Sequence, residues 1–196
     1  MSHDPSVLPA DLPIPVDDGA ADHLVGARIP ALWFPSTDGT AFRVDVVPVP
    51  ATRLVLYTYP RTGVPGVEPL VPEWDSIPGA RGCTPESCGF RDHATDLAAV
   101  GAAVVGLSTQ DTAYQREAVE RLHLPFPLLS DVDHVLTDAL RLPTFDVSGE
   151  RLLRRLTLVV RAEVVEHVFY PVFPPDRHAA DVLAWLRQHP LEAAVR

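Results

Sequence analysis

The sequence is poor in sulfur and contains no cluster of basic side chains. Its 196 residues include two cysteines and one methionine, and 26 acidic residues outnumber 16 basic ones, giving a formal net charge of −10. Such a chain is a poor ligand for nucleic acid or for an anionic membrane, so we expect neither partner. No apolar run approaches the roughly 20 residues that a membrane-spanning helix needs. The first 22 residues lack the basic start and apolar stretch of a secretory signal, which predicts a cytoplasmic protein.

Candidate ligands for metals and cofactors are also scarce. The cysteines do not form a Cys-x-x-Cys pair, no histidine pair lies near them, and the histidines are scattered without ligand spacing. The sequence therefore predicts no metal site and no cofactor. In a reducing compartment, a lone cysteine pair is more often catalytic or redox-sensing than structural.

Proline is distributed unevenly along the chain. Several of the 21 prolines lie among aspartates and alanines in the first 22 residues. Residues 1–23 are therefore predicted to form a flexible N-terminal arm. The length favours one domain, which we place at residues 24–190, followed by a C-terminal tail at residues 191–196.

Short apolar, β-rich runs alternate with amphipathic stretches along this domain. Asp38-Gly39 predicts an early β-hairpin, and Phe145 to Glu150 is predicted to be a turn with no chemistry. Strands are predicted at residues 53–59, 102–107, 127–130, 156–160 and 164–169, and helices from Cys83 onward and at residues 112–122, 132–140 and 181–188. This order predicts an α/β protein with a central mixed sheet flanked by helices.

The two cysteines lie at the predicted start of a helix. One face of that helix is predicted to hold Cys83, Ser87, Phe90, Ala94 and Leu97. A cysteine in the first turn faces unpaired backbone N–H groups and the positive end of the helix dipole, which both favour the thiolate. Cys88 would supply a second thiol, but it lies about 140° around the axis and about 7.5 Å along it, so the helix must unwind before the two join. On spacing alone, two inert buried cysteines remain an alternative.

The segment Gly82 to Asp92 resembles the active-site motif of the peroxiredoxins, in particular the peroxiredoxin Q or bacterioferritin-comigratory subfamily. The matching residues are Gly82-Cys83-Thr84, Glu86, Cys88 and Phe90-Arg91-Asp92, with Tyr57, Tyr59 and Pro60 at the preceding strand end, Pro125 to Asp131, and Arg155 to Val160. The resemblance covers roughly residues 24–190. It implies a thioredoxin-like fold with a central mixed sheet.

The resemblance also implies reduction of H2O2 or organic hydroperoxides by thiol chemistry. Cys83 would attack the peroxide and become a sulfenic acid, and Cys88 would resolve it into an intramolecular disulfide. A thioredoxin-like or other dithiol donor would then reduce that disulfide. Arg155 matches the family's active-site arginine, which would stabilise the thiolate and orient the peroxide, with the adjacent Arg154 as the alternative. We expect a monomer or a weak homodimer.

An insertion separates the strand-end proline from the cysteine. Pro60 and Cys83 are 23 positions apart where the family has about seven, so about 16 residues, 67–82, are extra. The family carries a Thr or Ser hydroxyl three residues before the cysteine, where this chain has Ala80. Thr62 is the preferred substitute for that hydroxyl. The proline-rich insertion is interpreted either as a lid over the pocket or as an ordinary surface loop.

Three neighbouring polar residues complete the predicted site. Ser76, inside the insertion, is the second choice for the missing hydroxyl. Arg81 is expected to add positive potential near the thiolate. Glu86 is expected to be a helix-start charge favoured by the dipole rather than a general base.

Two other functions remain open from the sequence. In a redox sensor or relay, oxidised Cys83 would pass its disulfide to a partner and peroxide turnover would be slow, which the missing hydroxyl favours. In a non-catalytic binding module with a peroxiredoxin-like fold, Cys83 would be dispensable. The Arg155 match favours an enzyme, so a thiol-dependent peroxidase is the leading hypothesis.

Overall fold

The computed structural model describes residues 4–191 and contains nine strands and five α-helices within that range. The strands are β1 Trp33–Pro35, β2 Ala41–Arg43, β3 Arg53–Thr58, β4 Ala102–Ser108, β5 Leu128–Ser130, β6 Thr144–Val147, β7 Glu150–Leu153, β8 Leu156–Arg161 and β9 Val164–Phe169. The helices are α1 Cys83–Asp92, α2 Ala94–Ala99, α3 Thr112–Leu122, α4 Val135–Leu140 and α5 His178–Gln188. None of the helices within residues 4–191 is long and apolar enough to cross a membrane.

Five strands form the central sheet in the order β5-β4-β3-β8-β9. β3 runs parallel to β4 and antiparallel to β8, while β4 is parallel to β5 and β8 antiparallel to β9. Every residue of β3 is buried, as expected for a central strand covered on both faces. The predicted mixed sheet flanked by helices is therefore confirmed.

Alternation along β3 divides the core into two layers. Leu54 and Leu56 belong to the layer that also buries Leu136 and Leu140 of α4 and the β1–β2 hairpin. Val55 and Tyr57 point to the opposite face, where they meet apolar residues of α1, α2, α3 and α5. The helix that begins at Cys83 therefore lies on the Tyr57 face of the sheet.

Most of the predicted elements match the structure, with small shifts at their ends. The Asp38-Gly39 turn joins β1 to β2, and α3 has the predicted bounds. α4 begins three residues later than predicted, at Val135, and α5 begins three residues earlier, at His178. The helix predicted from Cys83 onward is interrupted at His93, so its apolar face is shared between α1 and α2.

The turn predicted from Phe145 to Glu150 is present but shorter, because strands occupy both ends of that segment. β6 and β7 pair in that region as a hairpin, with Val147 opposite Glu150. The connection is only Ser148-Gly149, and both residues have positive φ, at 52° and 79°. Two such residues form the tight turn that matches the twist of paired strands.

The N-terminal arm packs against the inserted segment and the end of the sheet. The Arg81 guanidinium donates hydrogen bonds to the carbonyl groups of Asp4 and Val7. Farther along, the Tyr170 hydroxyl donates to Asp18 at 2.8 Å. The flexibility of the arm stays a prediction, and residues 1–3 of the arm and 192–196 of the predicted tail lie outside the described residues.

Candidate active site

Cys83 is the first residue of α1 and is 2% exposed. The preceding residue, Gly82, has φ 110°, and a Cβ there would collide with the ring of Pro175. One turn into the helix, the Ser87 hydroxyl is 3.0 Å from the Tyr57 hydroxyl on β3. The Phe90 ring stacks on the same Tyr57 ring with centroids 4.5 Å apart. These contacts hold the helix start against the central strand and fix the position of the thiol.

Arg155, which lies immediately before β8, points at Cys83 from the sheet. Its Nη2 is 3.3 Å from Cys83 Sγ and also donates to the carbonyl groups of Gly79 and Arg81, at 3.3 and 3.2 Å. The neighbouring Arg154 turns away and donates to the Thr144 carbonyl at 3.2 Å. The structure therefore brings Arg155, and not Arg154, to the thiol.

Glu86 lies in the first turn of α1, as expected for a helix-start charge, but its side chain points into the protein. It is fully buried, and its Oε2 accepts a hydrogen bond from Arg155 Nη1. Burial raises the pKa of Glu86 to about 7, although the Arg155 guanidinium acts in the opposite direction. Position 86 lies three residues after Cys83 and so shares its inward face of the helix, which accounts for the burial.

The electrostatic environment of Cys83 combines opposing effects. Burial raises the pKa of the thiol above its ordinary value, and the Glu86 carboxylate acts in the same direction. The Arg155 guanidinium and a hydrogen bond from the Arg61 backbone lower it. The pKa of the thiol is raised by the sum of these effects, whereas a cysteine at a helix start is predicted to have a lowered pKa. Burial acts to lower the pKa of Arg155, but Glu86 and Cys83 raise it above its ordinary value, so the guanidinium remains cationic.

A cavity of about 340 Å³ opens in front of Cys83. It is lined by the loop after β3, by part of the insertion, by the start of α1, by Tyr114 of α3 and by Pro5 of the arm. The contributing insertion residues are Val67, Glu68, Pro69, Leu70, Trp74, Arg81 and Gly82. The buried thiol therefore faces a cavity that is partly open to solvent and that a small substrate can enter.

Two threonine hydroxyl groups line this cavity together with Cys83. Thr62 is buried, and its Oγ1 donates to Gln110 Oε1 at 3.1 Å, while its backbone N–H donates to the same oxygen at 2.9 Å. Thr84 is also buried, and its Oγ1 has no hydrogen-bond partner among the described residues. Ser76 is exposed and does not line the cavity.

Thr84 was missed from the sequence although it follows the nucleophile directly. Its signal is its place in the first helical turn, where a side-chain hydroxyl can turn either to the backbone or into the pocket. Arg81 also lines the cavity, but its guanidinium is directed to the arm carbonyls and lies 3.6 Å from Asp75. Positive charge next to Cys83 Sγ therefore comes from Arg155.

Cys88 lies on another side of the same helix. It is half-buried, both cysteines are free thiols, and α1 is continuous between them. Burial raises the pKa of Cys88, with the nearby Arg91 guanidinium acting against it. Among residues 4–191, no three His, Cys, Asp or Glu side chains converge where a metal ion could bind.

Comparison with known proteins gives a consistent set of relatives. Residues 24–184 match the Redoxin family. The chain is 29% identical over 173 residues to peroxiredoxin Bcp of Escherichia coli K12, covering 84% of this chain and 96% of that protein. It is 27% identical over 162 residues to the chloroplastic peroxiredoxin Q of Oryza sativa subsp. japonica, covering 83% of this chain and 66% of that protein.

A solved structure agrees with these alignments. The crystal structure of peroxidoxin BcpB from Mycobacterium tuberculosis superposes with a TM-score of 0.66 and 29% sequence identity, covering 84% of this chain and 96% of that one. The thioredoxin-like fold expected from the sequence resemblance is thereby confirmed.

Proposed function

The chain belongs to the Redoxin family and is a peroxiredoxin, a peroxidase enzyme, and from that membership we propose that Cys83 is its peroxide-reducing nucleophile. One observation carries the assignment. A buried cysteine at a helix start faces a cavity while a buried guanidinium donates to its sulfur at 3.3 Å. Arginine stays charged and offers several fixed donors, so it suits both a thiolate and the oxygens of a peroxide.

The first step transfers one oxygen atom to Cys83. The thiolate attacks one peroxide oxygen, an S–O bond forms and the O–O bond breaks, and the remaining oxygen takes a proton and leaves as alcohol or water. Cys83 becomes a sulfenic acid, and the peroxide has been reduced by two electrons. Arg155 is placed to stabilise the charge that moves from sulfur to the leaving oxygen.

The second step uses Cys88 as the resolving thiol. Its thiolate attacks the Cys83 sulfur, water leaves, and an intramolecular disulfide forms. Because α1 is continuous between the cysteines, its first turns unwind before this bond closes. A thioredoxin-like or other dithiol then reduces the disulfide and becomes oxidised itself. We place this cycle in a cytoplasmic monomer or weak homodimer.

Thr62 is proposed as the hydroxyl that accepts a hydrogen bond from the bound peroxide. Its own proton is donated to Gln110, so the oxygen keeps lone pairs for the substrate. Thr84, whose hydroxyl has no partner among residues 4–191, is the alternative in the same cavity.

The test is to treat the reduced protein with one equivalent of H2O2 in the absence of any dithiol. Peptide mass spectrometry is expected to show a Cys83–Cys88 disulfide, and a thioredoxin-like donor with its reductase is expected to support continuous peroxide consumption. A stable sulfenic acid at Cys83, or an intermolecular dimer, would contradict the intramolecular scheme. An unoxidised Cys83 would contradict the peroxidase assignment itself.

A redox sensor or relay is the second candidate function. It is favoured by the burial that raises the pKa of Cys83, since a smaller thiolate fraction slows attack on peroxide. Negligible turnover in the coupled assay, with Cys83 still oxidised by one equivalent of peroxide, would favour the sensor. A binding module would instead keep its biological effect in Cys83→Ser.

A further inference from the structure

The cavity in front of Cys83 is much larger than hydrogen peroxide requires. One water molecule needs roughly 10–15 Å³ of such space, and the cavity of about 340 Å³ is many times larger. Hydrogen peroxide has two oxygen atoms and fills only a small part of that space. The remainder is available to a substituent carried by the reacting peroxide.

The lining of the cavity combines polar and apolar side chains. The hydroxyl groups of Thr62 and Thr84 belong to it together with Cys83. The insertion contributes the apolar side chains of Val67, Leu70 and Trp74 and the charged Glu68 and Arg81, and the Arg81 guanidinium is directed to the arm carbonyls. A hydroperoxide whose reacting oxygens lie at Cys83 can therefore bring its substituent into contact with the apolar side chains of the insertion.

The apolar wall is anchored to the domain. Trp74 is buried in a separate apolar cluster with Ala80 and Leu152, and its ring lies 6.4 Å from that of Phe145 on β6. Leu70 packs against the same cluster. The β6–β7 hairpin thus supports the insertion from behind, and the wall has a defined position relative to Cys83.

We propose that the insertion is a specificity element that makes this site prefer hydroperoxides with a bulky apolar substituent, such as an aralkyl group, over hydrogen peroxide. The proposal rests on the proposed function, in which Cys83 reduces the peroxide. The chemical steps are those given for that function, and the substituent leaves as part of the alcohol. Selectivity arises because burying each methylene group is worth roughly a fourfold gain in binding.

The test compares kcat/KM for cumene hydroperoxide and H2O2 with one dithiol donor. Leu70→Ala shortens the wall, and Val71→Ala is the matched control, since Val71 packs against the same cluster but does not line the cavity. The ratio of the two kcat/KM values is expected to favour cumene hydroperoxide in the native protein and to fall by about fivefold or more in Leu70→Ala. It is expected to change less than about twofold in Val71→Ala.

A second variant keeps the test decisive if Leu70→Ala folds poorly. Val67 is 53% exposed, so Val67→Asp introduces a charge at the wall with little disturbance of the core. Any effect of that charge on Cys83 acts on both substrates and cancels in the ratio, which is expected to fall by about tenfold. A native preference for H2O2, or equal ratios in Leu70→Ala and Val71→Ala, would overturn the proposal.

These results are distinguishable from failure of the proposed function. If Cys83 is not the nucleophile, dimedone labelling of Cys88→Ser detects no sulfenic acid at Cys83 with either peroxide. If only the specificity proposal fails, both peroxides give labelled Cys83 and the ratio does not depend on Leu70 or Val67.

Discussion

The two cysteines lie five residues apart in one helix, yet their environments differ in almost every respect. Cys83 is buried, is the first residue of α1, faces a cavity and receives a hydrogen bond from Arg155. Cys88 is half-buried and lies near Arg91 on another side of the helix. The fold therefore supplies a cationic hydrogen-bond donor and a cavity at the first cysteine, whereas the second, under the proposed function, would reach the first only after the helix opens.

Replacing each cysteine by serine is expected to give the largest difference in peroxide consumption between the two positions. Cys83→Ser should lower peroxide consumption by about a thousandfold or more, because the nucleophile itself is removed. Cys88→Ser should consume one equivalent of peroxide and then stop with a thioredoxin-like donor, because only the resolving thiol is missing. Quenched-flow measurement of peroxide consumed per protein separates the two. Sustained turnover by Cys88→Ser would remove the proposed division of roles.

Removal of the guanidinium tests why Cys83 differs from Cys88. Arg155→Met should slow the reaction of Cys83 with peroxide by about a hundredfold, since a preorganised donor to the reacting atoms is lost. Cys88, whose charged neighbours are Arg91, Asp92 and Arg121, should keep its rate of alkylation by iodoacetamide.

Arg154→Met is the matched control, since the adjacent side chain is directed to Thr144 and not to the site. Because Arg155→Met leaves Glu86 buried without its partner, the double variant with Glu86→Gln separates lost catalysis from lost stability. If Arg154→Met slows the reaction of Cys83 with peroxide as much as Arg155→Met does, the loss comes from disturbed packing around β8 and not from the missing hydrogen bond.

Local sequence patterns predicted much of the candidate site and of the sheet and helices around it. The fully buried β3 follows from one apolar run, α3 from one amphipathic stretch, and Cys83 and Arg155 from a motif and its position along the chain. The two elements depend only on residues close together in sequence. The two site residues were found because the motifs of the resembling family occur in the same order along this chain. The arrangement of the central sheet follows from the alternation of those elements.

Other features depend on contacts between segments far apart in sequence. Glu86 looks like an ordinary charge in a first helical turn, and only the position of Arg155, 69 residues away, explains its burial. The insertion is apolar in places, but no local pattern shows that Trp74 packs next to Phe145. The β6–β7 hairpin is different, because its turn residues Ser148-Gly149 are recognisable from the local sequence.

The buried carboxyl group of Glu86 next to Cys83 should make the stability of the protein depend on pH. Its pKa is about 7 in the folded protein and 4.5 as the ordinary value, so the folded state holds the proton more tightly. The stability that this proton contributes is present in full below about pH 4.5 and is lost as the pH rises through about 7. Relative to Glu86→Gln, the free energy of unfolding of the native protein should therefore fall by roughly 2–3 kcal/mol from pH 5 to pH 8.

Urea unfolding at both pH values measures this difference. Glu86→Gln should also lower the pKa of Cys83, because a negative neighbour is removed, and should leave Cys88 unchanged. The pH dependence of alkylation reports each thiol separately. A stability difference that is independent of pH would show that Glu86 is not the titrating group.

The smallest expected effect distinguishes the two hydroxyl groups beside Cys83. Thr62→Val should lower the rate of Cys83 oxidation by about tenfold, since one hydrogen bond to the bound peroxide is lost. Thr84→Val should change it less than about threefold if that hydroxyl only faces unoccupied space. Both residues are buried, and Thr62 also donates to Gln110, so thermal unfolding of each variant is measured alongside. Alkylation of Cys88 should stay unchanged in both variants, because neither hydroxyl is among its neighbours. If Thr84→Val slows the oxidation of Cys83 more than Thr62→Val does, the peroxide-binding role belongs to Thr84.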